Sequence, residues 1–529
     1  MPIQAGRSRP RRSDPEVDVA SGVSAGAPTA GSTGEGKGLA TGTLGLWGNT
    51  VIGLASTAPA YGLAATLGYL GVGEKAPAMF IVAFVPMVLT AIAYQQLNKA
   101  VPDCGTTFTW ATKAFGPVVG WMGGWGVAVS AIIVLANVAE IAAIYTLRVV
   151  GLDGLADSQW GRMAFAVAFI AVMTYVSYRG ILLSERMQNV LVAWQFLFLV
   201  VLAAWALFAV YSGSAGPQAV QPELSWFIPT GISFGDAVAA IVLCIFLYWG
   251  WDACLAVNEE SKDPDRIPGR AATLATIILV VTFTAVATAI QAYSGFGTTG
   301  IGLGNPDNAD DTITVLGDPL GGPVLAVLLM ITIAVSAAAS TQSTILPTAR
   351  GTLAMAVYKA LPPQFGTVHP RFKTPGFSTL VMGATAVGFY VLLSLISTNA
   401  LADSIASLGL AVAFYYGITS FACVWFFRST LRQSAAHLWL RGILPFLGGL
   451  FMLVIFGYSV VDMARPDYGE TVIGGVGGVF VLGVGMLALG VPLMLLCAIR
   501  LRAFFRGETL NARTEVLVPD TGAPPVGGL

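Results

Sequence analysis

The residues of this chain best placed to do chemistry lie in the run Cys244-Ile-Phe-Leu-Tyr-Trp-Gly-Trp-Asp-Ala-Cys254, which begins as an apolar helix and meets an aspartate, Asp252, in mid-segment. A carboxylate at membrane depth is costly and marks a functional site. Gly250 beside it permits backbone outside the helical region. Non-helical backbone within a membrane is tolerated only where it lines a cavity or is buried in protein. The spacing therefore predicts a broken helix with a site at the break. A comparable interruption, Ser56-Thr-Ala-Pro-Ala-Tyr-Gly62, lies in the first apolar segment. Two interrupted spans in matching positions of two halves point to the binding site of a secondary transporter.

Composition supports elements of the required kind. Of 529 residues, 55% are hydrophobic and 10% are charged, against about a quarter charged in soluble domains. Apolar runs of membrane-spanning length recur along the chain. The short alternating segments of a membrane β-barrel are absent. With a net charge of −1 and no basic surface, nucleic acid is not an expected partner. The five cysteines (Cys104, Cys244, Cys254, Cys423 and Cys497) form neither a metal spacing nor a disulfide framework. Both histidines, His369 and His437, fall in expected loops, so a histidine-based site within the membrane is not available.

Twelve spans are expected, at about 44–70, 77–97, 118–150, 161–178, 187–211, 236–258, 271–294, 320–344, 376–396, 401–427, 439–462 and 473–499. Pro102 to Gly116 reads as an interfacial helix. Residues 1–40 and 507–529 read as disordered tails, without the apolar core of a signal peptide after Arg7 to Arg12. With the N-terminus inside, every Lys and Arg except Lys75, Arg148, Arg162 and Arg465 falls on the cytoplasmic side, which orients both termini there.

That orientation gives the breaks a chemistry. The outer half of span 1 begins at the centre, where its free N–H groups and positive dipole end suit a carboxylate. Ser56 and Thr57 are expected to cap it, Ala58 and Tyr61 to line it, and Pro59 to sit in its first turn. The outer half of span 6 ends at the centre with free carbonyls near Phe246 to Tyr248, which suit an ammonium. A zwitterionic amino acid is thus complemented by backbone alone. Asp252 either contacts substrate or caps the inner half of span 6. Tyr248, Trp249 and Trp251 either gate the substrate or stack on a cation, or else pack, and Tyr415 and Tyr416 in span 10 either line the same cavity or pack. Glu140, with Asn137 one turn earlier, is either a proton carrier or a structural carboxylate. The Gly-rich runs Gly120 to Gly126 and Gly474 to Gly478 read as close helix packing.

The chain resembles the amino acid–polyamine–organocation (APC) superfamily over roughly residues 40 to 500. The resemblance rests on Gly53 to Gly62, on Pro102-Asp-Cys-Gly-Thr-Thr-Phe-Thr-Trp110 with Gly116 and Gly124-Trp125, on Gly250-Trp-Asp252 with Asn258-Glu-Glu-Ser-Lys-Asp-Pro264 and Arg266-Ile-Pro268, and on Ala349 to Pro362 with His369-Pro-Arg-Phe-Lys-Thr-Pro375. It implies an all-α fold of twelve membrane helices. Two five-span inverted repeats (41–212 and 235–427) form a leucine-transporter-like core with discontinuous spans 1 and 6, and spans 11 and 12 follow at 438–500. Where many members carry a Gly-Ser-Gly-like run in span 1, this chain has Ala55-Ser-Thr-Ala-Pro59. Some proton-coupled relatives carry a lysine in span 5, and Gln195 aligns there; Gln does not titrate. Sodium-coupled relatives of the fold use span 8 hydroxyls, here Ser340 and Thr341 with Ser336 a turn before. Ala337 and the span 1 carbonyls near Gly53 and Ser56 complete such a site.

The implied function is secondary active transport of amino acids across the cytoplasmic membrane by alternating access, coupled to H+ or Na+. Transport of polyamines or other organic amines is the alternative. No catalytic step, cofactor or bound metal is implied. A membrane enzyme or sensor is the rival class, but the one acidic cluster, Glu259-Glu260 beside Lys262 and Asp263, reads as the charged end of span 6.

Overall fold

The computed structural model describes residues 36–396 and 398–517. It is all-α apart from one two-stranded turn, Val472–Ile473 against Val476–Gly477. Twelve of the described helical segments are long and apolar enough to cross a membrane. Spans 1 to 6 are Leu46–Tyr69, Gly73–Ala100, Pro117–Val149, Gln159–Tyr178, Ile181–Ser212 and Phe234–Leu255. Spans 7 to 12 are Ile267–Ser294, Thr314–Val357, Gly376–Ile396, Asp403–Phe426, Ala435–Met463 and Gly478–Arg500. Their sequence explains their limits. Ser158 caps span 4 by accepting from the Gly161 N–H, and Ser233 caps span 6 by accepting from that of Asp236. Pro117 opens span 3 in the first helical turn, where a missing N–H costs nothing.

Spans 1, 2, 3, 6, 8 and 10 are the most buried, and spans 5 and 12 present much of their apolar surface outward. That outward surface is what hydrocarbon solvates.

Three boundaries differ from the sequence expectation. Span 8 does not stop at 344. It runs from the kink at Gly322 (φ +75°) to Val357, so much of the expected loop from Ala349 to Pro362 is helix. The extension holds because the Arg350 side chain is buried against Glu260 and gives a charged turn a partner inside the protein. The stretch expected as interfacial forms a helix at Thr107–Phe115, but Thr107 to Lys113 is buried. The chain is also packed beyond the limits expected for its tails. Lys37, Leu39 and Leu510 are buried, while residues 1–35 and 518–529 lie outside the described residues.

Candidate functional site

Span 1 is interrupted where proline and small residues cluster. One helix ends at Ser56 and the next begins at Pro59. Between them Ala58 is left-handed (φ 45°, ψ 59°), a conformation a non-glycine residue holds only when its surroundings impose it. The expected capping by Ser56 and Thr57 does not occur. The Thr57 hydroxyl turns back to the Leu54 carbonyl (2.8 Å) and closes the first half-helix instead. Short hydroxyl side chains compete for nearby carbonyls in this way. No side chain caps the second half-helix; the Tyr61 N–H in its first turn meets Ser336 Oγ at 3.3 Å.

Span 6 breaks after Tyr248. Trp249 is extended, Gly250 has φ +112°, and a short 3-10 helix follows over Trp251–Leu255. Gly250 is required twice over. Its φ disfavours any side chain, and a Cβ there would lie 2.8 Å from the Ser56 carbonyl carbon. Gly53 is nearly as tight, with the Trp251 carbonyl oxygen 3.1 Å from where a Cβ would stand. The two breaks therefore touch backbone to backbone, and glycine permits it.

The Asp252 carboxylate lies at this junction. It accepts hydrogen bonds from the Tyr416 hydroxyl (3.0 Å) and the Tyr415 hydroxyl (3.3 Å), both on span 10. Trp249 Nε1 donates to the Tyr415 hydroxyl at 2.7 Å, linking both sides of the break to one tyrosine. Among the described residues no cation pairs with Asp252. A narrow cleft starts here. Ser56, Trp249, Gly250, Asp252 and Tyr415 form its deep end. It continues along Val127 and Ala131 of span 3 and Thr344, Thr348 and Thr352 of span 8 toward Thr106 and Met355, on the face where span 1 begins.

The opposite face is closed. The loop between spans 7 and 8 lies over the ends of spans 1 and 3. Tyr69 donates to Asp310 (2.5 Å), Tyr145 to Asp311, and the Thr312 N–H to the Ala64 carbonyl (3.2 Å).

Several residues expected at the site support it from behind. Tyr248 donates to the Phe80 carbonyl (3.0 Å) and packs against Phe84 and Phe283. Trp251 packs edge-on against Tyr94 and tilted against Tyr416. Phe246 meets Tyr61 edge to face. None of Tyr61, Phe246, Tyr248 and Trp251 lines the cleft, nor do Thr57 and Ala58. The residues expected to couple an ion are partly brought together. Ser340 Oγ donates to the Ser56 carbonyl at 2.9 Å, and Thr341 Oγ1 to the Ala337 carbonyl at 2.8 Å. Glu140 stands apart, paired with Arg162 of span 4 at 3.0 Å. Gln195 is fully buried, and neither end of its amide has a hydrogen-bond partner.

The threonines of span 8 were missed. Thr344, Thr348 and Thr352 recur at a helical interval, which puts them on one face, and that repeat was visible in the sequence. The Thr344 hydroxyl is buried without a hydrogen-bond partner, whereas Thr348 and Thr352 bond back to their own helix.

Comparison with known proteins agrees with this architecture. Residues 42–487 match the family model described as amino acid permease. An uncharacterized transporter of Mycobacterium tuberculosis is 29% identical over 85% of this chain and 90% of its own length. The low-affinity putrescine importer PlaP of Escherichia coli is 25% identical over 71% of this chain and 78% of its own. The branched-chain amino acid permease BcaP of Bacillus subtilis is 24% identical over 60% and 67%. With twelve described helices long and apolar enough to cross a membrane, two of them broken where a half-buried carboxylate stands, and a family match along most of its length, this chain belongs to the amino acid permease family of the APC superfamily.

Proposed function

We propose that this permease carries amino acids or related amines across the cytoplasmic membrane by alternating access, with its substrate bound where spans 1 and 6 break. The observation that carries the reading is Asp252, a carboxylate at the head of the cleft with hydroxyl partners but no cation. A substrate ammonium supplies the missing charge. At the start of Pro59–Thr66 the proline has no N–H, the Tyr61 N–H meets Ser336 and the Gly62 N–H returns to the Ala58 carbonyl, so the Ala60 N–H is the donor that supports a substrate carboxylate there. Spans 1 to 5 and 6 to 10 then act as inverted repeats, both termini are cytoplasmic, and the cleft faces the cytoplasm.

A second reading, transport of amines that lack a carboxylate, is favoured by the same lone Asp252 charge and by the relative named a putrescine importer. Competition separates the two. In proteoliposomes, a branched-chain amino acid and putrescine are offered together, each labelled in turn. The first reading expects saturable amino acid uptake. Uptake of putrescine alone selects the second, and uptake of neither by folded protein contradicts both. Imposed sodium and proton gradients, applied separately, then identify the coupling ion.

A further inference from the structure

Asp103, Cys104 and Glu259 bring two carboxylates and a thiol within 4.8 Å of one another, the arrangement of a cation cage. The cation is supplied by the chain itself. Lys37 Nζ lies 2.7 Å from Asp103 Oδ2 and 2.5 Å from Glu259 Oε1, and all three side chains are fully shielded. Asp103 is further held by the Tyr358 and Thr109 hydroxyls, both at 2.7 Å, and by the Gly105 N–H at 2.8 Å. Glu259 Oε1 also accepts from the Cys104 N–H at 2.9 Å, but its Oε2 is buried with no partner. The carbonyl of Leu517, from the other end of the described chain, lies 3.4 Å from the same ammonium.

The elements joined here are those a transport cycle must separate. The segment before span 1 is stitched to the end of span 6. The Thr43 and Leu44 N–H groups donate to the Glu260 carbonyl, and the Lys262 N–H returns to the Leu44 carbonyl. Lys37 and Glu259 therefore move as one piece with the broken spans. Asp103 belongs to the connection between spans 2 and 3, and Tyr358 follows the end of span 8. Lys37 to Asp103 and the Cys104 N–H to Glu259 cross between the two sides at this point, and Arg350 of span 8 crosses to Glu260 beside them. They stand at the mouth of the cleft, whose lining includes Gly105 and Thr106, next to Asp103 and Cys104, and Ala256, one turn before Glu259.

Resting on the transport reading above, we propose that Lys37 is a latch beside the mouth of the cleft, and that its ammonium must leave Asp103 for this narrow cleft to widen on the face where span 1 begins. Breaking a shielded charge pair by removing one partner leaves the other charge uncompensated, so the narrow state depends on this contact. The latch is reversible because Glu259 remains beside Lys37 when Asp103 withdraws.

Cys104 is a native reporter. It is fully buried, and burial beside Glu259 pushes its thiol well above the ordinary value, so it stays unreactive while the latch is closed. The full chain in detergent is treated with N-ethylmaleimide, without substrate, and peptide mass spectrometry follows Cys104 alone. Lys37→Ala is expected to raise the alkylation rate at least tenfold, and Lys37→Arg to leave it within about threefold of the original. Asp103→Asn removes the other end and gives a second reading if Lys37→Ala does not fold. In proteoliposomes of the unaltered protein, turnover with a transported amino acid or amine is expected to change the Cys104 rate, which a static strut would not allow. An unchanged rate in folded Lys37→Ala, or equal acceleration by Lys37→Arg, overturns the latch. Absence of uptake with accelerated Cys104 labelling in Lys37→Ala overturns the transport reading and leaves the latch standing.

Discussion

Tyr416 donates a 3.0 Å hydrogen bond to the Asp252 carboxylate, so span 10 fixes the one charge at the break of span 6. A hydrogen bond to a charged group is worth about 1.5–3 kcal/mol. Tyr416→Phe is therefore expected to weaken substrate uptake by roughly tenfold or more. Tyr415→Phe is expected to cost less at 3.3 Å, although it also releases Trp249 Nε1. Initial uptake rates at several substrate concentrations check both, and the loss should fall mainly on apparent affinity.

The contact between Gly250 and Ser56 admits no side chain. Gly250→Ala places a methyl group 2.8 Å from the Ser56 carbonyl carbon at a φ of +112°. Strain of this kind costs about 1–3 kcal/mol. A lower melting temperature in detergent and loss of uptake are expected together, with Gly53→Ala milder because its nearest atom is at 3.1 Å.

Ser340→Ala removes the hydroxyl that reaches the Ser56 carbonyl. The stability loss is expected to be about 1 kcal/mol, that of one buried hydrogen bond. If uptake responds to a sodium gradient, that response should vanish in this variant, while a proton response should persist. Uptake under the two gradients, imposed separately, reads this directly.

The two carboxylates around Lys37 are expected to behave differently. Burial alone would raise Asp103, but Lys37, Tyr358 and Thr109 outweigh it and hold its carboxyl below the usual range. Burial dominates at Glu259, where one oxygen has no partner, and lifts it above that range despite Lys37. A depressed carboxyl contributes stability that is present above its ordinary pKa and lost only as pH falls through its lower folded value. An elevated carboxyl works oppositely: its contribution is full below the ordinary value and lost as pH rises through the folded one. Asp103→Asn is therefore expected to destabilise the protein at neutral pH more than Glu259→Gln. Mild acidification is expected to protonate Glu259 while Asp103 stays ionised. Melting temperatures of the three proteins between pH 7 and 5 check the order.

The fold was legible because spans announce themselves by length and hydropathy, and both breaks were marked by helix-disfavouring residues next to polar ones: Pro59 after Ser56-Thr57 in one, Gly250 two residues before Asp252 in the other. Rotational placement was harder to read. Tyr248 and Trp251 lie within two residues of Gly250 yet point into packing around Phe283 and Tyr94, because the direction of a side chain depends on the backbone path through the break. Lys37 was out of reach. It lies in a Gly- and Ser-rich run with no local pattern, and its partners are 66 and 222 residues away. Glu259 and Glu260 looked like a solvated helix end, since two adjacent acidic residues carry no sign of the Lys37 and Arg350 side chains that bury them.

The most direct measurement is uptake by Asp252→Asn in proteoliposomes, beside unaltered protein at equal reconstitution and with melting temperatures recorded for both. Asparagine keeps the shape and can still accept from one of the two tyrosine hydroxyls, while removing the charge that no neighbouring cation balances. The expected result is folded protein whose uptake of amino acids and amines falls at least tenfold, with the larger loss for an amine lacking a carboxylate. Undiminished uptake of every substrate by Asp252→Asn would contradict a binding site built on that carboxylate.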